Sequence, residues 1–101
     1  MFIYNVTVKV DNKIADEWLQ WMKEKHIPEV MGTGCFTKHH IIRLLEIDDT
    51  EGPTYAIQYH TNTMEDYTKY INEYADGLRQ KTFDEWGNRV FAFRTLMKIV
   101  Q

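Results

Sequence analysis

The sequence holds one cysteine, two prolines and five glycines among its 101 residues, and no cluster of lysines and arginines. A lone Cys35 cannot close an internal disulfide, which excludes a disulfide-stapled scaffold and fits a reducing compartment. Net charge is −3 with the four histidines neutral. Binding to nucleic acid through counterion release needs a basic stripe, so no nucleic-acid partner is expected. No apolar run approaches the roughly 20 residues of a membrane span, so no membrane partner is expected either. The opening MFIYNVTVKV lacks a basic n-region and a cleavage site and reads as a strand, not a signal peptide. A cytoplasmic protein is expected, with residues 1–101 as a single domain. A chain of this length buries roughly 60–65% of its unfolded surface, enough for one modest core but not for a spacious interior cavity. A larger ligand site therefore needs a cleft between layers or a second subunit.

Aromatic residues are plentiful. Three Trp, six Tyr and five Phe make up 14% of the chain, within a hydrophobic fraction of 44%. They supply either an aromatic core or, beyond it, an aromatic pocket or interface.

Residues 2–10 alternate strictly, with Phe2, Tyr4, Val6, Val8 and Val10 on one face, and predict a strand. Asp11-Asn12 breaks the pattern, and from Lys13 the period changes. Ile14, Trp18, Trp21, Met22 and Lys25 recur at three- and four-residue steps, the mark of an amphipathic helix. Pro28 is expected to interrupt it after His26, with a further turn over Glu29–Met31 before Gly32-Thr-Gly34. A second strand over 35–47, a hairpin loop over Asp48–Pro53 and a third strand over 54–61 follow. Thr63-Met-Glu-Asp66 resembles a capping box and opens a second helix. That helix carries Tyr67, Tyr70, Ile71, Tyr74 and Leu78 on one stripe, is weakened at Gly77 and ends at Gly87-Asn88. Residues 89–100 form the last strand. There are no internal repeats and no low-complexity stretches.

The order strand, helix, strand, strand, helix, strand predicts an α+β, ferredoxin-like βαββαβ fold. Its four-stranded antiparallel sheet takes the order 4-1-3-2, with both helices on one face. The other face must then meet water or a partner. Parity assigns Tyr4, Val6, Val8, Tyr55, Ile57, Phe91, Phe93 and Met97 to the helix side as a uniformly apolar set. The complementary set is Ile3, Asn5, Thr7, Ala56, Gln58, His60, Ala92, Arg94 and Leu96. Thr37, His39, Ile41 and Arg43 join it provided that the second strand has no bulge. A face mixing aliphatic and polar residues suits a sheet-to-sheet homodimer better than open solvent.

The segments YNVTVKV, EWLQWMKEKHIPEVMGTGCF, TYAIQY, DYTKY and FAFRTLM, which together cover nearly the whole chain, resemble a small bacterial family known only as a domain of unknown function. That family is similar in topology to the dimeric α/β-barrel superfamily. The superfamily includes antibiotic-biosynthesis and haem-degrading monooxygenases, chlorite dismutases, muconolactone isomerases and ligand-sensing domains of transcription factors, a variety that leaves function to the site. The resemblance implies a dimeric barrel. It also draws attention to Asn5, because monooxygenases of this superfamily use an Asn of the first strand with a Trp, here Trp86 or Trp21, and a His or Tyr from elsewhere. No histidine matches the haem-binding His of those enzymes, which lies on the later helix, and no cofactor is expected.

Among the residues themselves, Asn5, Gln58, His60 and Arg94 are expected together on adjacent strands of the uncovered face, with His39 and Arg43 extending the set. Arg94 would clamp a carboxylate or carbonyl oxygen, and Asn5 and His60 are the catalytic candidates, His60 as a general acid or base near neutrality. The competing assignment makes Asn5 and Arg94 interface residues and His60 a satisfied polar group. His39 and His40 point to opposite faces of a strand; His39 and His60 can approach across the hairpin, but no third ligand shares their face, and no metal is expected. Trp18, Trp21 and Met22 read as core. Cys35 has only Lys38 nearby to activate it, so a nucleophilic role is not expected, and Gly32-Thr-Gly34 lacks the rest of a phosphate-loop pattern. Three functions stay open: a small-molecule-binding homodimer of cofactor-independent monooxygenase or isomerase type, a ligand sensor acting with an effector domain on another chain, and a purely structural or partner-binding homodimer. The aromatic content with an Asn and an Arg suits a small planar or acidic ligand.

Overall fold

Strand β1 (Phe2–Val10) runs through the middle of the sheet and organises everything else. The computed structural model describes all residues, Met1–Gln101. Its remaining elements are α1 (Ala15–Trp21), a π-helical turn (Met22–His26), α2 (Ile27–Gly32), β2 (Lys38–Arg43), β3 (Thr54–Thr61), α3 (Met64–Glu73), α4 (Ala75–Trp86), a short 3-10 turn (Gly87–Arg89) and β4 (Val90–Lys98). The strands form one sheet in the order β2-β3-β1-β4, antiparallel at every pairing. This is the ferredoxin-like arrangement that the alternation of patterns predicts. No helix is long and apolar enough to cross a membrane.

The strict alternation of β1 places Tyr4, Val8 and Val10 in the core, where they meet Ile57 and Tyr59 of β3 and Trp18, Met22, Val30, Tyr70 and Leu78 of the helices. Thr63 caps α3 by accepting a hydrogen bond from the Asp66 amide at 3.1 Å, as its spacing predicts. At the far end of β1 the loop before β3 folds against the strand, with the Val10 amide donating to Pro53 O and the Asn12 amide to Glu51 O. Gly52, at φ +154°, lies so close to β1 that any Cβ would collide with the Val10 carbonyl.

Pro28 does not interrupt the first helix. The helical path continues from Ala15 to Gly32, and the π turn ahead of Pro28 absorbs the ring and the missing N–H by widening to i→i+5 bonding. The second helix breaks at Tyr74 (φ −125°, ψ −33°), not at Gly77, which lies inside α4.

Two strands differ from their expected facing. Cys35 and Phe36 are both buried, and the irregular step from Cys35 to Thr37 resets the alternation before β2 begins at Lys38. Lys38, His40 and Ile42 therefore pair opposite His60, Gln58 and Ala56 on the uncovered face, whereas His39, Ile41 and Arg43 point to the helix side. In β4, Val90, Ala92, Arg94 and Leu96 pair opposite Val10, Val8, Val6 and Tyr4. Directly paired residues share a face, so Arg94 and Leu96 lie on the helix side and Phe91, Phe93 and Met97 on the uncovered one. The expectation that the apolar half of β4 must be the buried half fails because the 3-10 turn delivers the strand in the opposite phase. Small Ala92 sits under the helices, and Phe91 and Phe93 stay 70% and 55% exposed.

Candidate functional site

Between the helices and the sheet lies a cavity of about 40 Å³, lined by Tyr4, Val6, His26, Tyr59, Tyr70, Leu78, Arg79, Thr82 and Arg94. Strand pairing builds its floor: Tyr4 stands opposite Tyr59, and Val6 opposite Arg94. The roof comes from the α4 stripe Leu78, Arg79 and Thr82. Tyr70 closes one side, its ring 5.7 Å from that of Tyr4.

The π turn brings His26 here. Residues five apart on an α-helix diverge by roughly 140°, but Trp21 and His26 stack with ring centroids 5.1 Å apart and planes 20° apart, because the wider turn realigns them. Trp86 meets Trp21 edge-on at 5.9 Å and extends the aromatic wall. Thr82 Oγ1 donates to Leu78 O at 3.2 Å and lies 3.5 Å from His26 Nδ1. With its proton committed to that carbonyl, the hydroxyl is an acceptor toward the ring. A proton on Nδ1 would point to that hydroxyl and leave Nε2 as the acceptor.

The electrostatics are one-sided. Arg79 donates from Nη2 to Tyr4 Oη at 3.0 Å, and neither Arg79 nor Arg94 forms an ion pair. Asp76 acts on Arg79 only from a distance, and no carboxylate lines the cavity. Burial drives the His26 pKa down to about 4, against the pull of Glu29 and with the help of Arg94 and Lys81, so the imidazole is neutral at physiological pH. Glu29 itself is engaged by Lys81 Nζ at 2.6 Å. Burial likewise pushes the phenols of Tyr59 and Tyr70 far above their ordinary value and keeps them as O–H donors. Two guanidiniums, two phenolic donors and one neutral imidazole thus line one small cavity, a set suited to an anionic group.

The residues expected to form one site separate onto two faces. Asn5, Gln58 and His60 share the uncovered face, and Arg94, with His39 and Arg43, points the other way. Asn5 donates to Thr7 Oγ1 at 3.0 Å. Arg43 pairs with Asp49 at 3.3 Å on the surface, away from the cavity. His60 is 7% exposed, and neither ring nitrogen has a hydrogen-bond partner. Its neighbour is His40, 5.4 Å away between centroids, and not His39. Asn5 also lies across the sheet from Trp21 and Trp86, which pack on the helix side, so the Asn–Trp pairing suggested by monooxygenases does not assemble. Of the expected residues, the cavity takes Arg94 alone. Sequence reasoning missed His26, Arg79, Thr82 and the tyrosine floor. A readable signal existed for two of them: Arg79 and Thr82 are polar residues on the same inward stripe of α4 as Ala75, Leu78 and Trp86.

In solved structures the same fold recurs with little sequence in common. A dimeric ferredoxin-like protein from an uncultured marine organism matches 99% of this chain and 95% of its own at a TM-score of 0.75 and 11% identity. A candidate antibiotic biosynthesis monooxygenase from Deinococcus radiodurans matches 100% of this chain and 94% of its own, with a TM-score of 0.69 and 12% identity. A second dimeric ferredoxin-like protein from an uncultured marine organism matches 100% and 96%, with a TM-score of 0.67 and 12% identity. At such identities the likeness is one of fold. No curated protein is significantly similar in sequence. The profile of the family described as domain of unknown function (DUF4286) matches residues 1–100, and the chain belongs to that family.

Proposed function

We propose that this chain is a cytoplasmic homodimer, joined through its uncovered sheet face, that binds a small planar carboxylate in the helix–sheet cleft of each protomer. The observation that carries the ligand reading is the pair Arg79 and Arg94, two guanidiniums at one small cavity with no carboxylate partner. Two guanidiniums lining one cavity that no carboxylate lines can both meet a bound carboxylate, each with a charge-assisted hydrogen bond. The aromatic floor favours a flat ligand over a tetrahedral one. Support for the dimer comes from Phe91 and Phe93, large and exposed on the uncovered face, and from the dimeric ferredoxin-like proteins that share the fold. The buried Cys35 suits a reducing compartment. Cleft chemistry centred on a neutral histidine favours isomerase-type proton transfer over a monooxygenase mechanism built on Asn5.

Calorimetric titration with pyruvate and benzoate tests the binding. Arg94→Gln is expected to weaken binding at least tenfold, the loss of one charge-assisted contact being about 1.5–3 kcal/mol. Asn5→Ala, on the opposite face, is expected to leave the affinity unchanged. The reverse pattern, binding lost with Asn5 and kept without Arg94, refutes the cleft.

A further inference from the structure

The cleft contains more than binding requires. A site that only held a carboxylate would need its guanidiniums, but not an imidazole brought to the cavity by an irregular helical turn beside a threonine hydroxyl. We infer that His26 is the general base of a keto–enol tautomerisation: its Nε2 takes a proton from the carbon beside the carbonyl of a small 2-oxo acid held by Arg79 and Arg94. This inference rests on the carboxylate reading of the cleft.

The chemistry balances within the site. The C–H bond breaks toward Nε2, and its electron pair becomes the new carbon–carbon double bond. The carbonyl π pair moves onto oxygen, giving an enolate, and return of the proton to oxygen or carbon gives enol or ketone with no oxidant or reductant. The two guanidiniums divide the work. Arg79 is anchored to the floor through Tyr4 Oη at 3.0 Å, and Arg94 rises from β4 as an exposed residue at the mouth. One holds the carboxylate, and the other, with the phenolic O–H groups of Tyr59 and Tyr70, faces the oxygen on which charge develops. A 2-oxo acid is the simplest planar anion offering both oxygens.

The groups facing His26 are Thr82 and Lys81 of α4, Glu29 of α2, Trp21 of α1 and Arg94 of β4. Depressed in the empty cleft, its basicity rises when a bound carboxylate offsets Arg94, so the base strengthens as substrate arrives. Thr82 is a positioning residue, acting through Nδ1.

The test is exchange of the methyl protons of pyruvate for deuterium in D2O, followed by proton NMR on the intact protein. Wild type is expected to exceed buffer, and His26→Gln to lose about a hundredfold or more of that rate with pyruvate affinity nearly unchanged. Thr82→Val is expected to lower the rate and shift its pH profile, with Thr82→Ser restoring both; this pair keeps the test sharp if His26→Gln folds poorly. Pyruvate bound in an Arg94-dependent way but exchanged no faster than in buffer, or equally fast by His26→Gln, overturns the assignment of His26 and leaves the binding reading standing. Absence of pyruvate binding removes both.

Discussion

Carrying Phe91→Asp and Phe93→Asp together, the chain is expected to sediment as a monomer at concentrations where the wild type sediments as a dimer. Both side chains stand on the uncovered face of edge strand β4, opposite Lys9 and Thr7 of β1, at 70% and 55% exposure in the protomer. Burying an aromatic of this size at an interface contributes about 1.5–3 kcal/mol, and an unpaired carboxylate in its place adds a desolvation cost. Together the two changes raise the dissociation constant by at least about a thousandfold, some 4 kcal/mol. Neither residue belongs to the core, so far-ultraviolet circular dichroism of the variant should match that of the wild type. A variant that remains dimeric places the interface elsewhere. His60 strengthens the expectation: a buried imidazole with both nitrogens unpartnered, flanked by Ile3 and Lys38, is a polar group that an opposing sheet can satisfy.

Acid is expected to destabilise the protein through His26 by up to about 3 kcal/mol. The imidazole titrates near 6.5 when unfolded and near 4 in the fold, where burial disfavours the charge. Above 6.5 it is neutral in both states and costs nothing. As the pH falls from 6.5 to 4, the unfolded chain takes up a proton that the folded chain refuses, and stability declines across that window. Below 4 both states carry the proton, and the loss stops growing. Desolvation lowers the His60 pKa as well and adds a loss of the same sign. Urea midpoints measured across this interval should fall steeply for the wild type and less steeply for His26→Gln; parallel slopes would mean that His26 is not held neutral by the fold.

How far the chain can be read from its sequence depends on what each signal measures. The alternation of β1 is legible because Tyr4, Val6, Val8 and Val10 turn to the core, and the Thr63 cap because a local hydrogen bond fixes it. Strand facing in β2 and β4 is not, since each depends on an irregular step just before the strand, Cys35–Thr37 in one and Gly87–Arg89 in the other, and one residue of phase inverts every side chain. Hydrophobicity misleads in β4 because an apolar exposed face and a buried face look alike in composition. The site suffered most from this. Arg94 stands out in the sequence as a charged residue within a strand, but its phase sets it on the helix side, away from Asn5, Gln58 and His60, and His26 reads as the end of a helix because Pro28 follows it. Only the π turn, which no residue pattern announces, brings His26 round beside Trp21 into the cleft.

Chemical-shift mapping of the protein against pyruvate tests the central claim most directly. The cleft predicts saturable shifts centred on His26, Arg79, Thr82 and Arg94, with the uncovered face silent. Shifts centred on Asn5, Gln58 and His60 would contradict it and move the site to the lumen between the sheets.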